Sequence, residues 1–120
     1  MRPHEKLEVW SSAMDFVVEV YRSTEPFPKE EKFGLTSQIR RAAVSVPANI
    51  AEGAARQSPK EFMHFLSNAQ GSASELETEL TIACRLGYLA QDRYSVLSAT
   101  LDKIGRMITG LSQHLKRKVT

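Results

Sequence analysis

The stretch SQIRRAAVSVPANIAEGAAR, Ser37–Arg56, decides how this chain is read. Ile39, Ala42, Ala43, Val46 and Ile50 recur at three- and four-residue steps, the period of one helical face. Pro47 stands at the centre of that pattern. A proline has no N–H to give and its ring crowds the carbonyl four residues back, here that of Ala43. A helix through it is therefore predicted to bend rather than end, with one internal hydrogen bond fewer. Val44, Ala48, Ala51 and Ala55 make a second face of small residues, which lets another backbone approach closely. Beside both runs a polar row, Arg41, Ser45, Asn49, Glu52 and Arg56. Such a row is ordinarily a solvent face. Next to a proline and a small-residue face it also fits a polar interface between helices or subunits, which makes Pro47, Asn49 and Glu52 candidate interface residues.

Outward from this segment the helical period continues in both directions. Upstream, Leu7, Trp10, Met14, Val17, Val18 and Tyr21 share one face, and Val9, Ala13, Phe16 and Val20 form a second stripe about 100° around the helix. So wide an apolar arc exceeds what one packed layer needs. Either this helix lies deep in a bundle, or Val9, Phe16 and Val20 meet another subunit. The link STEPFPKEEKFG, with two prolines and a glycine, is a turn.

Downstream, SPKEF places Ser58 as N-cap, Pro59 at the first helical position and Glu61 where a capping box needs it. A third helix follows on Phe62, Phe65, Leu66, Ala69, Ala73, Leu76, Leu80 and Ala83, and stops at Gly87, a left-handed C′ candidate. The fourth carries Tyr94, Leu97, Leu101, Ile104, Ile108, Leu111 and Leu115 in an unbroken seam. Four amphipathic helices joined by short polar links predict an all-α, antiparallel up-down-up-down four-helix bundle, one domain over residues 1–120, with the second helix kinked at Pro47.

Composition bounds the function. Sixteen basic and 14 acidic side chains leave a formal charge of +2, too near balance to announce a nucleic-acid partner by itself. A single cysteine, Cys84, excludes an intramolecular disulfide and fits a reducing compartment. MRPHEKLEVW has no apolar core of a signal peptide, and no apolar run reaches bilayer length. The expectation is a soluble, cytoplasmic protein without a membrane partner.

Sites of chemistry are sparse. Glu61 and His64 have the i, i+3 spacing of di-iron bundles, but no second pair or further inward carboxylates accompany them, and His64 falls off the apolar face. No metal site and no cofactor are expected. Cys84 lies in the apolar stripe of the third helix, as a small buried side chain would. Glu75 and Glu79 share a face read as a solvated or subunit-facing row; an acid–base pair would require one of them to have a raised pKa in a cleft. No catalytic residue is assigned, and the chain reads as a non-enzyme.

Basic residues carry more. After Asp102 no acidic side chain remains, while Lys103, Arg106, Lys116, Arg117 and Lys118 follow. Cations at a helix C-terminus complement its dipole, and several copies assembled with these ends together would sum to a ring suited to phosphate backbones. Arg40, Arg41, Arg56, Lys116, Arg117 and Lys118 are the candidate phosphate contacts for RNA or DNA. The competing reading is a protein-interaction scaffold whose charge maintains solubility.

FGLTSQIRRAAVSVPANIAEG and EFMHFLSNAQGSASELETEL, within a similarity that spans most of the chain, resemble the 23S rRNA-intervening-sequence protein family. The resemblance implies an antiparallel four-helix bundle that assembles as a homopentamer, in a family with no assigned catalytic residue, some members being encoded inside insertions of large-subunit rRNA genes. A related branch, the accessory variability determinants of diversity-generating retroelements, binds nucleic acid and a reverse transcriptase through a basic pentameric barrel. The near-neutral charge here departs from that branch.

Overall fold

In a computed structural model, residues 1–119 are described, and they form four helices: α1 (Glu8–Thr24), α2 (Leu35–Ala54), α3 (Pro59–Arg85) and α4 (Gln91–Arg117). Short 3₁₀ turns at Pro3–Lys6 and Lys29–Glu31 precede α1 and α2. The Cα envelope is a rod of 48 × 21 × 21 Å. Side-chain pairings fix the order of the helices. Ser45 meets Ser72 and Gly53 faces Phe62, so α2 and α3 run antiparallel. Gln70 reaches Gly105 and Thr109 while Thr81 reaches Tyr94, which sets α4 against α3 in the same way. Arg93 bonds Ser23 and Glu19, closing the ring of helices between α4 and α1.

The helix ends follow the local chemistry. Ser58 Oγ accepts the Glu61 N–H at 3.1 Å, and the Glu61 carboxylate accepts the Ser58 hydroxyl at 3.2 Å rather than reaching the cap backbone. At the other end of α3, Gly87 adopts φ +81°, the Tyr88 N–H bonds the Ala83 carbonyl at 2.9 Å and the Gly87 N–H bonds that of Cys84 at 3.0 Å. This is the Schellman arrangement, and it needs a residue without Cβ at Gly87. α2 continues through Pro47, which is buried among the helices.

The core takes one stripe from each helix: Val9, Ala13, Phe16 and Val20; Ile39, Ala42, Ala43, Val46 and Ile50; Leu66, Ala69, Ala73, Leu76, Leu80 and Ala83; Leu97, Leu101, Ile104, Ile108 and Leu115. One expectation is corrected here. Val9, Phe16 and Val20 are no more than 5% exposed inside this chain, so they are not free to meet another subunit. The other stripe is divided: Leu7, Trp10 and Val17 pack against the edge of the core, while Met14, Val18 and Tyr21 are more than 40% exposed. A four-helix ring buries most fully the arc that points at its axis, and the second stripe, about 100° around α1, lies at the edge of that arc.

At Gly53 α2 passes close to α3. A Cβ there would lie 2.8 Å from Phe62 Cδ1, 2.9 Å from Phe65 Cβ and 3.2 Å from the Phe62 carbonyl oxygen. Overpacking costs about 1–3 kcal/mol, against the roughly 1 kcal/mol that alanine gains over glycine in a helix. Gly53→Ala should therefore lower stability by about 1 kcal/mol, whereas Gly110→Ala, which meets nothing within 4 Å, should raise it by about 0.5–1 kcal/mol. Urea unfolding of both variants checks the sign of each.

Candidate functional site

Two surface features carry chemistry. The first is a polar groove between α2 and α3. Arg41, Ser45 and Asn49 succeed one another at single-turn steps along α2, and Ser72, Glu75 and Glu79 face them from α3. Ser45 and Ser72 share a 2.7 Å hydrogen bond across the gap, and Asn49 Nδ2 donates to the Ser45 carbonyl at 2.9 Å and to its Oγ at 3.0 Å. Around this bridge lie a recess of about 280 Å³, formed by Gln38, Arg41, Ala42, Ser45, Glu75 and Glu79, and a shallower one of about 450 Å³ beside Asn49, Asn68 and Gly71.

Glu79 is the residue that the sequence reading misplaced. It is 7% exposed rather than part of a solvated row, and its Oε1 is buried with no hydrogen-bond partner. Burial, and then the neighbouring Glu75 charge, push its carboxyl from the ordinary 4.5 up to about 7. The signal was present in the spacing: position 79 follows Leu76 by three and precedes Ala83 by four, on the core stripe. Because the folded-state pKa is raised, the stability this carboxyl contributes is present in full below about 4.5 and lost as pH rises through about 7. Glu79→Gln, which cannot ionise, should match the wild type near pH 5 and exceed it by roughly 2–3 kcal/mol at pH 8. Denaturant midpoints at the two pH values measure this.

The second feature is electrostatic. The antiparallel order brings together the start of α1, the α2–α3 link and the end of α4. Arg2, Lys6, Arg56, Lys60, Lys116, Arg117 and Lys118 gather there against Glu5, Glu8, Glu52 and Glu61. Seven basic and four acidic side chains occupy this pole, while the other nine basic and ten acidic side chains of the chain nearly cancel. Within it Arg56 pairs with Glu52 at 3.6 Å and lies over the Phe65 ring at 4.8 Å; Lys116 and Lys118 are exposed.

The six candidate phosphate contacts therefore do not form one patch. Arg40 and Arg41 lie about 22–24 Å along α2 from Arg56 at 1.5 Å per residue. Arg40 is also committed elsewhere. Its Nε donates to Thr24 Oγ1 at 2.9 Å, its NH2 donates to the Tyr21 carbonyl at 3.2 Å, and its guanidinium covers the Tyr21 ring at 4.5 Å. Arg40 thus satisfies the carbonyl end of α1, where a helix leaves acceptors without partners. Of the candidate interface residues, Pro47 is buried in the core, Asn49 is half-buried against Ser45, and Glu52 is exposed and paired with Arg56. His64 is exposed, edge-on to Phe65, and Cys84 is half-buried with its Sγ 3.5 Å from Gln91 Oε1. Among the described residues no helix is long and apolar enough to cross a membrane.

An antiparallel four-helix bundle with a polar α2–α3 groove and one basic pole defines the class. The model of the 23S rRNA-intervening sequence protein family matches residues 5–110, and the chain belongs to that family. Its fold is similar to the crystal structure of a protein of unknown function from the S23 ribosomal protein family of Bacteroides thetaiotaomicron, with a TM-score of 0.78 and 24% identity over 87% of this chain and 97% of that one. No curated protein matches the chain.

Proposed function

We propose that the chain is a non-enzymatic, cytoplasmic accessory protein that binds RNA or DNA through its basic pole as a homo-oligomer, the homopentamer implied by its family resemblance. The observation that carries this is the segregation of charge: the surplus of positive charge sits at one end of the rod. Side-by-side assembly would sum these poles into one cationic surface, whose field acts on a polyanion more strongly than any single pole. The exposed Met14, Val18 and Tyr21 stripe of α1, together with the exposed Val44 of α2, supplies apolar contact for such an assembly. The same stripe favours the second reading, a scaffold that binds another protein. Fluorescence anisotropy of labelled structured RNA and duplex DNA across a salt series tests the proposal. Binding that weakens steeply with salt supports it; no binding at low salt overturns it.

A further inference from the structure

The smaller recess of the α2–α3 groove holds an unmet need. Glu79 is among the residues that line it, one of its carboxyl oxygens being buried with no donor, and Glu75, one turn earlier on α3, lines the same space. A buried carboxyl with one oxygen lacking a donor is costly to ionise, and a cation seated in the recess would offset that cost. Among the described residues no group donates to that oxygen. The Ser45 and Ser72 hydroxyls bond each other, and Asn49 donates to Ser45. Among the described residues Arg41 is the one cation in the lining; it is exposed and makes no ion pair with either carboxylate. The donor set also differs from that of a metal centre, since among the described residues no three His, Cys, Asp or Glu side chains gather as one would require.

We propose that this recess is a binding site for a guanidinium group from outside the chain, held between the Glu75 and Glu79 carboxylates with Gln38 on the facing wall. A guanidinium presents five N–H donors in a planar fork and can serve two carboxylates at once, whereas an ammonium is a compact point charge. The charged groups around it are Arg41 from α2 and Glu75 and Glu79 from α3. The cation binds the ionised form of Glu79, so binding lowers that group's pKa and strengthens as pH rises through about 7. Arg41 opposes the guest by like charge, so Arg41→Ala tightens binding. The proposal is independent of phosphate binding at the pole. The guanidinium comes either from a small molecule or from an arginine of a second copy of this chain.

The test is a titration of the full chain with agmatine, read by the carboxyl carbon resonances of its glutamates, at pH 8 and pH 6. Saturable binding is expected at pH 8, moving the Glu75 and Glu79 signals. It should weaken about tenfold at pH 6, because the ionised fraction of Glu79 falls about tenfold across that interval. Glu79→Gln should weaken binding at pH 8 by about tenfold or more and remove most of the pH dependence, with circular dichroism confirming that the variant is folded. Butylamine, an ammonium of similar stem length, should bind more weakly. Sedimentation velocity at pH 8 separates the sources. A wild-type mass lowered both by agmatine and by Glu79→Gln assigns the arginine to a second copy, and an unchanged mass with agmatine bound assigns it to a small molecule. Absence of saturable agmatine binding at millimolar concentration together with an unchanged mass overturns the proposal, as does binding that Glu79→Gln leaves intact.

Discussion

Leu76→Ala should lower stability by about 2–5 kcal/mol and the melting temperature by roughly 10–20 °C. Leu76 is fully buried on the stripe of α3 that faces the bundle axis, between Ala73 and Leu80. The small alanines on that stripe leave few long side chains able to move into the space, so the cavity stays open and the cost tends to the upper part of the range. Ile82, two residues beyond Leu80, is 43% exposed, and Ile82→Ala should cost well under 1 kcal/mol. Calorimetry on the pair measures the contrast. Equal losses at both positions would contradict the assignment of the α3 faces.

Neutralising the basic pole should have the largest effect on binding. Lys60, Lys116 and Lys118 are exposed, and replacing all three with alanine removes up to three phosphate contacts per chain. Each duplex contact contributes about −0.9 to the slope of log K against log salt, or about −0.7 for a single strand. The variant's slope should be shallower by about 2–3 and its affinity at 0.1 M salt roughly 10²-fold weaker. None of the three side chains packs in the core, so the fold should be retained.

The helices were legible because each repeats a strong local rule. Ser58 and Pro59 opened α3, Gly87 closed it, and Leu97 to Leu115 held one seam. Periodicity located two apolar stripes on α1 but could not say which faced the axis, since that depends on how α1 sits against α2 and α4. For the same reason Val9, Phe16 and Val20 belong to the core, and Met14, Val18 and Tyr21 lie outside. Glu79 was hidden by its type: a glutamate among glutamates reads as solvent-facing, and residue type outweighed its register with Leu76 and Ala83. Arg40 and Arg41 are adjacent in sequence yet differ in role, because 100° of helical rotation turns one onto the end of α1 and the other into the α2–α3 groove. The pole is a tertiary property. Its residues come from three separated segments, brought together only by the antiparallel order.

The most direct measurement of the central claim compares the two ends of the rod. Lys29 and Lys32 stand at the opposite end, in the α1–α2 link, and both are exposed. Salt slopes for structured RNA and duplex DNA should be determined for the wild type, for Lys29→Ala with Lys32→Ala, and for Lys116→Ala with Lys118→Ala. If the pole binds phosphate, only the α4 pair reduces the slope, by about 1–2, while the link pair leaves it within error. Equal reductions from both pairs, or none from the α4 pair, would contradict phosphate recognition by the basic pole.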